Sequence, residues 1–141
     1  MRAGTAAALA LALAALGCGG GDDSSPRDEA KATVQRYLAA LGRGDAAAAC
    51  REFTRESQDK LAEFGAEKLR LGARSCAATI DAALNAPNGP QLRRLGRARI
   101  TRVEVRGDHA EVSVAGVGSR TELVRSDGAW RIASQPTGET D

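Results

Sequence analysis

Ile100-Thr101-Arg102-Val103-Glu104-Val105-Arg106-Gly107-Asp108-His109-Ala110-Glu111-Val112-Ser113-Val114-Ala115 is the stretch from which the fold is read. From Thr101 polar and apolar residues alternate. Gly107-Asp108 interrupts the run, and alternation resumes with Ala110, Val112 and Val114 on one side. A period of two marks strands with one buried face, and a glycine-led pair between two such runs marks a hairpin turn. Parity slips at Ile100, so either the strand begins there or a bulge absorbs one residue. His109 follows the turn on the parity opposite Val112 and Val114, which predicts a solvated hairpin residue.

Downstream the pattern continues. Gly116 to Ser119 forms a connection, Arg120 to Arg125 a third strand, Ser126-Asp127-Gly128 a tight turn, and Ala129 to Ala133 a fourth strand with Trp130 and Ile132 inward.

Upstream of Ile100 the period is helical. Ser25-Pro26-Arg27-Asp28 predicts a helix start, with Ser25 as N-cap and Pro26 in the first turn. Ala30, Val34, Tyr37, Leu38 and Leu41 then form one stripe, and Gly42 reads as the stop. Asp45 caps a short helix over Ala46 to Phe53. Thr54 caps a third, with Leu61 and Phe64 inward and Gly65 ending it. Leu69 and Leu71 read as anchors in the weaker stretch that follows. Ser75 caps a further helix in which Cys76, Ile80 and Leu84 share a face. Asn85 to Pro90 reads as a break. Helices followed by an antiparallel meander give the α+β class.

The chain has 141 residues, 20 basic and 18 acidic, and a formal charge of +2. That length suits one core, and the near balance of charge gives no support for a nucleic-acid partner. Aromatic residues are few: Tyr37, Phe53, Phe64 and Trp130. The core is therefore built mostly from Ala, Leu and Val, with little apolar area per residue.

Met1-Arg2 and the uncharged run Ala3 to Leu16 read as a signal peptide, shorter than the ~20 residues of a permanent span. Ala14-Ala15-Leu16-Gly17 before Cys18 resembles the bacterial lipobox, with Ala15 and Leu16 in exchanged order. The resemblance implies acylation of Cys18, cleavage after Gly17, export, and anchoring in the lipid of the outer face of the cell membrane. The expected organisation is a lipoprotein signal peptide over 1–17, a flexible Gly/Asp/Ser tether over 18–25, a globular domain over 26–135 and a disordered tail over 136–141. With Cys18 acylated, Cys50 and Cys76 are left to pair. Their bridge would close a loop of about 26 residues, worth roughly 3–4 kcal/mol in the chain-entropy model, and would need an oxidising compartment.

Two segments carry a resemblance to a known fold family. One is Val34 to Cys50, a long helix, a Gly44-Asp45 elbow and a short helix; the other is Leu123 to Ile132, a last hairpin with an inward Trp. Together they resemble the nuclear transport factor 2-like superfamily, also seen in polyketide cyclases and ketosteroid isomerases. Exported actinobacterial lipoproteins of this type often have cysteines where Cys50 and Cys76 stand. The resemblance implies a sheet curled around the first helix to make a cone-shaped pocket, lined here by Tyr37, Leu38, Val112 and Trp130.

Enzymes of this fold need a buried carboxylate beside a fixed donor. Tyr37 is the one donor in a suitable place, which keeps a small isomerase or cyclase as the alternative. No catalytic residue, metal-ligand set or cofactor motif is evident, so no metal and no cofactor are expected. The favoured expectation is a non-enzymatic module that binds a partner protein or a small apolar ligand. Arg93, Arg94, Arg97, Arg99, Arg102 and Arg106 form a basic run whose ordinary reading is a solvated face interleaved with Glu104 and Glu111. The other reading is attraction to anionic lipid or a cell-wall polymer.

Overall fold

The computed structural model describes residues 25–133. The signal peptide 1–17, the lipidation residue Cys18, the tether up to residue 24 and the tail 136–141 lie outside the described residues, as do 134–135 at the end of the expected domain.

Five helices precede four strands. They are α1 (Pro26–Arg43), α2 (Ala46–Arg51), α3 (Arg55–Lys68), α4 (Cys76–Asn85) and α5 (Gly89–Arg94), followed by a 3-10 turn (Leu95–Arg97). The strands are β1 (Ile100–Arg106), β2 (His109–Val114), β3 (Thr121–Ser126) and β4 (Ala129–Ile132), paired antiparallel in the order β1-β2-β3-β4. The class is α+β, as the change of period predicts.

The four expected caps all form. Side-chain oxygens of Ser25, Asp45, Thr54 and Ser75 accept from the backbone N–H groups of Asp28, Ala48, Ser57 and Ala78. Each takes up a donor that the first turn of a helix leaves unpaired.

Three glycine and aromatic assignments differ from expectation. α1 runs through Gly42 and ends at Gly44, in the left-handed region at φ 71°. Gly42 is instead a point of close approach: a Cβ built there would lie 3.1 Å from Gly96 Cα, so the 3-10 turn rests on the α1 backbone. Gly65 does not end α3 but is buried within it, and a Cβ there would lie 2.0 Å from Thr79 Oγ1 of α4. Phe64 is half exposed rather than inward. Because Gly65 takes the contact with α4, the side chain one residue earlier is rotated toward solvent. Leu69 is also exposed.

Two clusters make up the interior. One joins Ala30, Val34 and Leu38 of α1 to Val103, Ala110, Val112, Val114, Leu123, Trp130 and Ile132 on one face of the sheet. The other joins the far side of α1, through Ala40 and Leu41, to α2 and α4. It contains the Cys50–Cys76 disulfide, with Cα atoms 6.0 Å apart. The bridge ties α2 to the start of α4 in a cluster rich in alanine, where apolar area is scarce.

The slip at Ile100 has both expected sources: β1 begins at Ile100, and its register shifts between Ile100 and Arg102. The two hairpin turns use positive φ at Gly107 and at Asp127 and Gly128, as tight two-residue connections require. Phe53 pairs in parallel with Ile132 at the end of β4: Ile132 N–H donates to Glu52 O at 2.7 Å, and Thr54 N–H donates to Ile132 O at 2.9 Å. This short hook holds the end of α2 against the rim of the sheet.

Candidate functional site

The expected cone interior is closed packing at three of its four residues. Leu38, Val112 and Trp130 are 5%, 0% and 2% exposed and belong to one core cluster, and Trp130 also borders a surface hollow with Thr33 and Arg36 of α1. Val112 lies mid-strand in β2, facing α1 between β1 and β3. Tyr37 is half-buried where the two clusters meet, edge-on to Phe53 with ring centroids 5.2 Å apart. Burial raises the pKa of its hydroxyl above the ordinary value.

An isomerase-like arrangement needs an acid at Tyr37. The buried acid among the described residues is Glu52, and it is engaged elsewhere: Arg36 donates from Nε and Nη2 to its two oxygens, each at 3.1 Å. Arg131 Nη1 lies 3.9 Å from the same carboxylate. Arg36 Nη2 also donates to Thr33 Oγ1, which sits 3.3 Å from the Trp130 carbonyl. These contacts form a polar clasp between α1, the α2 end and β4. The clasp gives Glu52 charge partners and leaves Tyr37 without a hydrogen-bonded carboxylate among the described residues.

Trp130 is held in a different way. Its Nε1 is buried without a hydrogen-bond partner, while the Arg125 guanidinium lies 5.3 Å from the ring centroid. Glu29 fixes that guanidinium through a 2.7 Å ion pair. The ring is thus covered by a cation from its own strand pair, in an arrangement suited to anchoring β3 and β4 to α1.

The outer face of the sheet interleaves Arg102 with Glu104 and Glu111, as expected, and adds Glu122 to them in register. Glu104, Glu111 and Glu122 stand directly opposite one another across β1, β2 and β3. Like charges in register destabilise a sheet unless neutralised. Arg102 pairs with Glu104, and Arg120 pairs with Glu111 at 2.8 Å. A shallow hollow of ≈ 260 Å³ lies here, lined by the three glutamates with Arg106, His109 and Val124. His109 is exposed, as its parity predicts. The signal for the first pair was present, since Glu104 and Glu111 are equidistant from Gly107-Asp108.

The basic run divides. Arg102 belongs to the sheet face and is paired, whereas Arg93, Arg94 and Arg97 surround a separate hollow together with Arg43 from α1. Among the described residues no group of three or more His, Cys, Asp or Glu is placed to hold a metal ion, and no helix is long and apolar enough to cross a membrane. No protein-family model matches the chain, no curated protein matches it, and no solved structure matches it.

Proposed function

We propose that the chain is an exported lipoprotein, anchored through Cys18 to the outer face of the cell membrane, whose domain is a nuclear transport factor 2-like, non-enzymatic binding module. The observation that carries this reading is the Cys50–Cys76 disulfide. A buried structural disulfide belongs to an oxidising compartment, and it takes up two of the three cysteines. The thiol that remains is Cys18, placed directly after Gly17 in the lipobox-like segment.

The family reading is supported by α1 lying along one face of an antiparallel meander, by the Gly44-Asp45 elbow into α2, and by Trp130 turned inward from the last hairpin. The packing of Leu38, Val112 and Trp130 in one core cluster favours a partner engaged from outside over a small apolar ligand held within.

The test is Cys18→Ala in cells, read by fatty-acid labelling and membrane fractionation. The parent is expected to be labelled and membrane-bound, and the variant unlabelled and released. A variant that stays in the membrane fraction would overturn the anchor. Free thiols at Cys50 and Cys76 in non-reducing peptide maps of the protein isolated from its cells would overturn the export argument.

A further inference from the structure

We infer that the hollow between the end of α1 and the α5–3-10 segment is a binding site for a phosphate-bearing ligand. Arg43, Arg93, Arg94 and Arg97 line it over a floor that includes Gly42 and Gly96, and its volume is ≈ 510 Å³. No acidic residue lines it.

The hollow has a rigid base. A Cβ on Gly96 would lie 2.7 Å from Gly42 Cα and 3.2 Å from the Leu38 carbonyl oxygen, so the two backbones meet without side chains between them. That contact fixes how far Arg94 and Arg97 stand from Arg43. Arg93 leans across the left-handed Gly44, where a Cβ would lie 2.2 Å from its Nη1.

Arginines at helix C-termini are ordinarily explained by the helix dipole and by capping of the last carbonyls. Here the backbone already does the capping. Gly44 N–H donates to Leu41 O at 3.0 Å and Asp45 N–H to Ala40 O at 2.9 Å. At the end of α5, Leu95 N–H donates to the Leu92 and Arg93 carbonyls. Among the described residues the four guanidinium groups make no hydrogen bond or ion pair, whereas Arg36, Arg102, Arg120, Arg125 and Arg131 all do. Four unneutralised like charges around one concavity repel one another, and a multiply charged anion relieves that repulsion.

The donor type selects the anion. A guanidinium's two parallel N–H groups match carboxylate and phosphate alike, but four such forks outnumber the two oxygens and single charge of a carboxylate and suit a phosphate, with its larger set of oxygens and its second charge. A volume of ≈ 510 Å³ exceeds what one inorganic phosphate fills, which leaves room for the organic part of a phosphate ester. Arg43 is at the opposite end of α1 from Ser25, where the tether joins. A soluble phosphate ester and a lipid headgroup offer this site the same chemistry, and the test separates these sources.

The full chain in neutral detergent would be titrated with inorganic phosphate, with the arginine Nε–Hε resonances followed by NMR. In a second arm it would be incubated with phosphatidylglycerol vesicles and with phosphatidylcholine vesicles, the difference between the two being the readout. Arg94→Ala/Arg97→Ala and Arg94→Lys/Arg97→Lys would be compared with the parent, since all four positions are exposed and their replacement leaves both core clusters intact. Saturable phosphate shifts at Arg43, Arg93, Arg94 and Arg97, weakened about tenfold or more by the alanine pair and clearly weakened by the lysine pair, support a soluble source. A phosphatidylglycerol preference lost in the alanine pair supports a headgroup. Absence of both responses overturns the proposal, as does any response that the alanine pair leaves unchanged. Neither arm depends on acylation of Cys18, so a failed anchor and a failed phosphate site give different results.

Discussion

Arg36 grips Glu52 with two parallel donors, Nε and Nη2, each 3.1 Å from a different carboxylate oxygen. The two partners are unequally placed: the Glu52 side chain is 11% exposed and that of Arg36 is 54% exposed. Removing the arginine strands a buried charge with Arg131 at 3.9 Å, whereas removing the carboxylate charge leaves a guanidinium that water can reach. Arg36→Ala is expected to cost about 2 kcal/mol and Glu52→Gln about 1 kcal/mol, the exposed arginine moderating both. Urea unfolding followed by Trp130 fluorescence checks the order. Equal losses, or a larger loss from Glu52→Gln, would refute the asymmetry.

Gly65 is a point of close approach between α3 and α4. Thr79 Oγ1 lies 2.8 Å from the Leu61 carbonyl, and an added Cβ at Gly65 would stand 2.0 Å from that oxygen. Gly65→Ala is therefore expected to destabilise by about 1–3 kcal/mol despite its better helix propensity. Gly72→Ala is the control, because a Cβ there meets nothing within 4 Å and the backbone is not left-handed. A neutral Gly65→Ala would mean that α3 slides away from α4 at little cost.

Tyr37 is the one tyrosine in the chain, so alkaline absorbance of phenolate reports on it alone. Burial places its folded pKa above the ordinary tyrosine value of 10.0. In the unfolded chain the proton leaves near 10.0, so Tyr37's contribution to stability is intact below that pH and is lost as pH rises through the folded value. The expected result is phenolate appearing later in native protein than in urea-unfolded protein. Tyr37→Phe should flatten the loss of stability above pH 10. Coincident titration curves in the two states would contradict the burial.

Much of the fold was legible because its determinants are local. Alternation over Thr101 to Val114 yielded β1 and β2, and four polar caps marked four helix starts. Glycine was the recurrent source of error. Gly42 and Gly65 read as helix stops, yet each is present for close approach of a neighbour that lies 14 or more residues away in sequence. α5 begins inside Asn85 to Pro90, which reads as a break, although proline fits the first turn of a helix. The arginine hollow was half visible. Arg93, Arg94 and Arg97 stand out as a run, but no local pattern joins them to Arg43, which arrives only through the Gly42–Gly96 contact.

The hook of Phe53 beside Ile132 bears on self-association. A sheet of four strands has two rims of unpaired amides, and each invites a strand from a second copy. At β4 the chain's own Glu52 and Thr54 occupy hydrogen-bonding positions on that rim. At β1 the irregular register after Ile100 and the charges of Arg102, Glu104 and Arg106 disfavour a flat, apolar addition. Both rims thus disfavour growth of copies of the domain into an intermolecular sheet.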